Sequence, residues 1–149
     1  MYSRDFLKGI DFKIHDERIK NLILQTVDNI PPEALKIPSL GSILLSDVSP
    51  TETLAGLTTH SSYEVTFRND KGNEWDETRT RQKITFYRDI LNNLSDLSVK
   101  AIIAHEIAHA WLNEHVIPES SQQRENDSDD LARKWGFTRE LFTLENETS

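Results

Sequence analysis

Within the run Ala104-His105-Glu106-Ile107-Ala108-His109-Ala110-Trp111-Leu112, two histidines and a glutamate fall in the pattern H-E-x-x-H. On a helix, side chains four residues apart point about 40° from one another, so His105 and His109 share a face. Two imidazoles so placed can bind one metal ion, with Zn–N bonds of roughly 2.0–2.1 Å. Glu106 lies about 100° round from His105, near the metal but displaced from it. A carboxylate there can take a proton from metal-activated water without becoming a ligand. The chain has no cysteine, which excludes thiolate ligands and disulfides and leaves histidine and carboxylate to hold any metal.

A catalytic zinc ordinarily takes three protein ligands and keeps a position open for water. Two residues compete for the third place. His115 extends the pattern to H-E-x-x-H-x-x-L-x-x-H. This is metzincin spacing, but glycine is needed where Leu112 stands, because the chain must turn sharply there and leucine resists positive φ. Glu125, on the next expected helix, is the stronger candidate. Asp129 follows it one turn later on the same face, where a carboxylate accepting a ring N–H would orient a ligating histidine. Asp127 and Asp130 point elsewhere and read as solvated.

The surrounding residues indicate what must position this group. From Leu97 to about Leu112 apolar residues occupy nearly every face, which predicts a helix buried in the body of the protein. Ser95 is its expected N-cap, and Asp96 suits its positive end. His105, Glu106 and His109 break the apolar pattern, and a metal would satisfy all three at once. After a short connection containing Pro118, Ser120 and Gln123 are spaced as a capping box for a helix that runs to Trp135 and ends at Gly136. Thr138 is expected to cap a last short helix through Leu144, with 145–149 frayed.

Upstream, Ile19, Leu22, Ile23, Thr26, Val27 and Ile30 recur at helical spacing, predicting a helix over 16–30 that Pro31-Pro32 ends. Residues 1–15 read as a short irregular or extended lead. Strands are expected at 42–48, 63–67 and 83–87, with a turn at 69–73 and a surface loop over 49–62.

With 149 residues and no visible linker or repeat, the chain is expected to form a single domain over 1–149. The formal charge of −8 argues against a general nucleic-acid or anionic-membrane binder, although 79–83 is locally basic. No stretch reaches the roughly 20 apolar residues of a membrane span. The longest candidate, 99–112, contains His105, Glu106 and His109. The first residues carry no apolar segment long enough for a secretion signal, and the absence of cysteine suits a reducing compartment, so a cytoplasmic protein is expected.

The pairing of His105-Glu106-Ile107-Ala108-His109 with Glu125-x-x-Ser128-Asp129 resembles the gluzincin branch of zinc metallopeptidases. The residues that follow, Leu131-Ala132-Arg133-Lys134-Trp135-Gly136-Phe137, are similar to those of compact cytoplasmic proteins of the ImmA/IrrE type. Ser128 stands where alanine is often found. The resemblance covers 86–137 and implies Zn2+ on His105, His109 and Glu125, with Glu106 as general base.

The expected fold is therefore α+β and zincin-like. It comprises an N-terminal helix, a small and mostly antiparallel sheet, the active-site helix and the glutamate helix. The expected activity is zinc-dependent hydrolysis of a peptide or protein substrate. In proteases of this architecture a sheet edge near the active helix commonly takes the substrate as an added strand, and 83–87 is the candidate edge. Tyr63, Tyr87, His60 and His115 are candidate donors to the developing oxyanion. Two other readings remain open: a zincin-like regulatory or binding module with little proteolysis, which an intact Glu106 disfavours, and a metal-dependent hydrolase of another amide or ester.

Overall fold

The computed structural model describes residues 2–116 and 120–149, so the connection through Pro118 lies outside the described residues. The elements in order are α1 (Tyr2–Lys8), β1 (Asp11–Lys13), α2 (Glu17–Asn29), a 3-10 turn at Pro32–Leu35, β2 (Leu40–Ser46), β3 (Gly56–Arg68), β4 (Glu74–Tyr87), α3 (Arg88–Leu91), α4 (Asp96–His115), α5 (Ser121–Lys134) and α6 (Thr138–Thr148). The architecture is α+β, as expected, with one small mixed sheet.

The lead is more ordered than its sequence suggests. Residues 2–8 form α1, and 11–13 form a strand parallel to β2. Neither is long enough to hold itself together in water. Leu7 is buried in the core, and Arg4 binds Asp28 of α2 at 2.8 Å, so tertiary contacts fix the segment.

The sheet order is β1-β2-β4-β3. β1 and β4 both lie parallel to β2, while β3 and β4 form a long antiparallel hairpin turned at Gly72, where φ is 82°. The sheet is thus antiparallel along its longest pairing and parallel in its other two. The expected loop over 49–62 ends at Ala55, and 56–62 belong to β3. Leu57-Thr58-Thr59-His60-Ser61-Ser62 shows no apolar alternation because 59–62 are exposed on both faces, and pairing with β4 makes it a strand. The expected substrate edge at 83–87 also needs correction. These residues pair with β2 on one side and β3 on the other, so β3 is the free edge beside α4.

The core lies between the sheet and the helices. Ile19, Ile23 and Val27 of α2, Ile43, Ile84 and Phe86 of the sheet, and Val99, Ile103 and Ile107 of α4 are all fully buried. α4 packs against α2, α5, α6, β3 and β4, which explains why it is apolar nearly all round. A polar staple fixes it against the sheet. Buried Gln82 donates from Nε2 to the Ala110 carbonyl and to Ser39 Oγ, each at 2.9 Å, and accepts from Asn113 at 3.1 Å.

The caps follow the sequence closely. Asp16 caps α2, Ser95 caps α4, and Ser120 accepts from the Gln123 N–H at 3.1 Å. The Gln123 side chain donates to Asp127 instead of closing the box. Gly136, at φ 104°, ends α5, with Phe137 N–H donating to Ala132 O and Gly136 N–H to Arg133 O. The C-terminus departs from expectation: α6 does not end at Leu144 but continues to Thr148, and Thr138 is its first residue, not its cap.

The extra turn has a task. Glu147 accepts from the Ser95 backbone N–H at 3.0 Å and from the Ser95 hydroxyl, joining the chain's end to the start of α4. The Ser95 hydroxyl and N–H hold the Glu147 carboxyl below its ordinary range. Folding therefore favours its ionised form. That stabilisation is present above the unfolded pKa and is lost as pH falls through the lower folded value. Thermal melts across pH should show Glu147→Ala less stable than wild type at neutrality, with the gap closing below the ordinary carboxylate range.

Candidate metal centre

α4 and α5 together build the candidate site. His105 and His109 stand one turn apart on α4 with ring centroids 5.7 Å apart and planes 74° from parallel. Glu125, in the second turn of α5, reaches both. Its Oε2 lies 3.0 Å from His105 Nε2 and its Oε1 lies 3.0 Å from His109 Nε2. One ligand atom from each of the three residues falls within 4.8 Å of the others. Asp129 accepts from His105 Nδ1 at 2.8 Å, so the ring is held from both nitrogens. His109 Nδ1 is buried and has no partner among the described residues. Asp130 pairs with Arg133 at the surface, leaving Asp129 to His105.

The electrostatics are those of a cation site. Burial works against a charged His105, yet the bonds to Asp129 and Glu125 and the charge of Glu106 raise its imidazole to about 10. The His105 bond, against the opposing effect of burial and with help from His109, lowers the Glu125 carboxyl to about 2. Two imidazole nitrogens and a carboxylate thus converge where a metal ion could sit. Two Nε2 atoms and one carboxylate form a donor set that suits zinc, and the Nδ1–H bond to Asp129 leaves His105 Nε2 free to ligate. The residues present fit the ion.

Glu106 is 6% exposed. Burial raises its carboxyl pKa, and the charges of His105 and His109 and a hydrogen bond from Thr58 oppose that rise. The Thr58 hydroxyl donates to Glu106 Oε1 at 2.8 Å. Thr58 carries no signal in the sequence, because a threonine in a polar segment is one of many. A cavity of about 260 Å³ opens on His105, Glu106 and Asp129, walled by Gly56 of β3 and Leu144 of α6. Ala55, Ile102 and Leu144 also line a larger adjoining space of about 540 Å³.

The remaining candidates lie elsewhere. α4 runs helically through Leu112, so His115 stays on the helix about 9 Å beyond His109 along its axis. There it bonds the Lys36 carbonyl through Nε2 at 3.0 Å and packs on Trp111. His60 lies on β3 beside Arg81 and Lys83, and Tyr63 is exposed beneath the Arg81 guanidinium. Tyr87 ends β4, pairing with Ser46. None of these four lines the cavity at His105 and Glu106.

The comparison with known families bears on this same segment. Residues 77–133 match the family model for peptidase family M48. The matched stretch enters in β4 and ends within α5, so it contains His105, Glu106, His109, Glu125 and Asp129. Peptidases of that family are metal-dependent, typically on zinc. The match supports a metallopeptidase; the narrower likeness to the ImmA/IrrE type is not shown. No curated protein and no solved structure matches the chain.

Elemental analysis after identical mild chelation should find zinc equimolar with the wild-type chain and with His115→Ala, and lost from Glu125→Ala. Asp129→Asn should retain the site but bind zinc about 10–100-fold more weakly.

Proposed function

We propose that this chain is a zinc-dependent metallopeptidase in which His105, His109 and Glu125 hold the ion and Glu106 is the general base. The observation that supports this most strongly is the convergence of those three side chains beside a buried, hydrogen-bonded carboxylate, within the segment matching peptidase family M48. A zinc ion held there acidifies water toward neutrality and polarises a carbonyl. Glu106 accepts the proton of the attacking water and returns it to the leaving amine. Its burial-raised pKa suits both halves of that task. Asp129 keeps the His105 ring in the tautomer whose Nε2 faces the ion.

The walls of the site support a peptide substrate. β3 is a free sheet edge against α4, and an extended peptide can pair with it by main-chain hydrogen bonds. That favours a peptide or protein over a small amide or ester. A buried base has no use in a purely structural metal site, which disfavours a binding module. Among the described residues no helix is long and apolar enough to cross a membrane. The cysteine-free chain suits action in a reducing compartment such as the cytoplasm.

Glu106→Gln should bind zinc as wild type does and cleave peptides about 10²–10⁴-fold more slowly. Mass spectrometry of a peptide mixture incubated with each zinc-loaded protein measures the difference. Undiminished cleavage by Glu106→Gln would overturn the assignment of the base.

A further inference from the structure

The grip on Glu106 comes from β3, a strand that lies wholly outside the segment matching the peptidase family. Two residues of one strand face supply it. At Gly56 an added Cβ would stand 3.2 Å from Glu106 Cγ and 3.1 Å from Phe86 Cδ1, so a side chain there would make Glu106 and Phe86 give by a few tenths of an ångström. Thr58, the next residue on that face, holds the carboxylate at Oε1 and lies 3.2 Å from the Glu106 backbone carbonyl. Oε2 receives no protein hydrogen bond among the described residues, and Glu106 borders the cavity. One oxygen is tethered and the other is left for chemistry.

The main chain of the same residue faces the other way. Gln82 gives its N–H to Ser39 O, on the β2 side, at 2.7 Å, whereas Tyr87 gives its N–H to Ala55 O, on the β3 side, at 2.9 Å. Antiparallel pairs alternate in this respect, so Gln82, Ile84 and Phe86 turn their N–H groups from β3. Their partners His60, Thr58 and Gly56 correspondingly turn N–H and C=O toward the free edge.

We infer that Thr58 is a positioning residue for Glu106, its hydroxyl fixing the carboxylate while its main chain is offered to a peptide pairing on the β3 edge. The inference rests on the reading of Glu106 as general base. A β-branched threonine holds χ1 in few states, which suits a fixed tether. Valine reproduces its shape without the hydroxyl, and serine keeps the hydroxyl without the branch.

The test compares the zinc-loaded full chain as wild type, Thr58→Val and Thr58→Ser. Cleaved peptides are identified in a random mixture, kcat and KM are measured on one of them, and crystal structures are determined of wild type and Thr58→Val. Thr58→Val should lose about tenfold in kcat, a part of the 10²–10⁴ that a general base supplies, with KM and bound zinc unchanged. Thr58→Ser should recover to within about twofold of wild type, since it restores the same hydrogen bond. In the Thr58→Val crystal the Glu106 carboxylate should leave its wild-type position. Full kcat in Thr58→Val, a loss confined to KM, or no recovery in Thr58→Ser would overturn the inference. Should zinc-loaded wild type cut no peptide, the peptidase reading fails, and the crystals alone decide the tether: a displaced Glu106 supports it and an unmoved one overturns it.

Discussion

A carboxylate on a buried helix is the constraint around which this molecule is arranged. Removing an ion from water costs several kcal/mol unless other groups replace its hydration. Glu106 is buried on α4 near Gly56, Phe86 and Ile102, none of which offers a side-chain donor. Its compensation comes from the Thr58 hydroxyl of β3 on one side and, within α4 itself, from the positive field of the His105 and His109 imidazoles on the other. The imidazoles in turn need an anion, which Glu125 and Asp129 provide from α5. From Thr58 through Glu106 and the imidazoles to Glu125 and Asp129, one polar group answers another, and the series crosses from the sheet edge to α5.

Such a chain works only if α4 cannot rotate. A helix that is apolar on nearly every face has no amphipathic preference to set its angle, so polar contacts must. Gln82 takes hold at Ala110, directly after His109, and Glu114 accepts the Ser39 N–H at 2.7 Å. At the other end Arg18 of α2 binds Asp96 and the carbonyls of Leu91 and Leu94, while Glu147 closes on Ser95. The helix is pinned at both ends by residues from α2, β4 and α6, and the imidazoles face α5 as a result.

The parts of this that are legible in sequence are those governed by local spacing. The H-E-x-x-H pattern, the Ser95 and Ser120 caps, the Gly136 stop and the α2 stripe each depend on residues within a turn or two of one another, and the structure places them accordingly. Glu125 and Asp129 were readable as one helical face for the same reason. What local spacing does not carry is partnership across the chain. The first half of β3 lacks alternation because pairing, not burial, makes it a strand. α1 and the last turn of α6 are held by Asp28 and Ser95, each far away in sequence. The Thr58 hydroxyl finds Glu106 across 48 positions, and no periodicity marks such a contact. Strand order likewise depends on which neighbours a strand acquires, which is why 83–87 reads as an edge and turns out to be enclosed.

The orientation of His105 shows how closely helix placement and site chemistry are tied. Glu125 and Asp129, one turn apart on α5, meet the two nitrogens of a single ring, at 3.0 Å from Nε2 and 2.8 Å from Nδ1. A rotation of α5 by one residue, about 100°, would carry both carboxylates off the ring together. The angle of α5 is therefore tied to the same ring that it orients, while Ser128, between the two carboxylates in sequence, is fully buried and returns its hydroxyl to the Arg124 carbonyl at 2.9 Å. The spacing E-x-x-S-D thus brings a carboxylate shared by both imidazoles, a buried small residue and a second carboxylate on the His105 ring within little more than one turn.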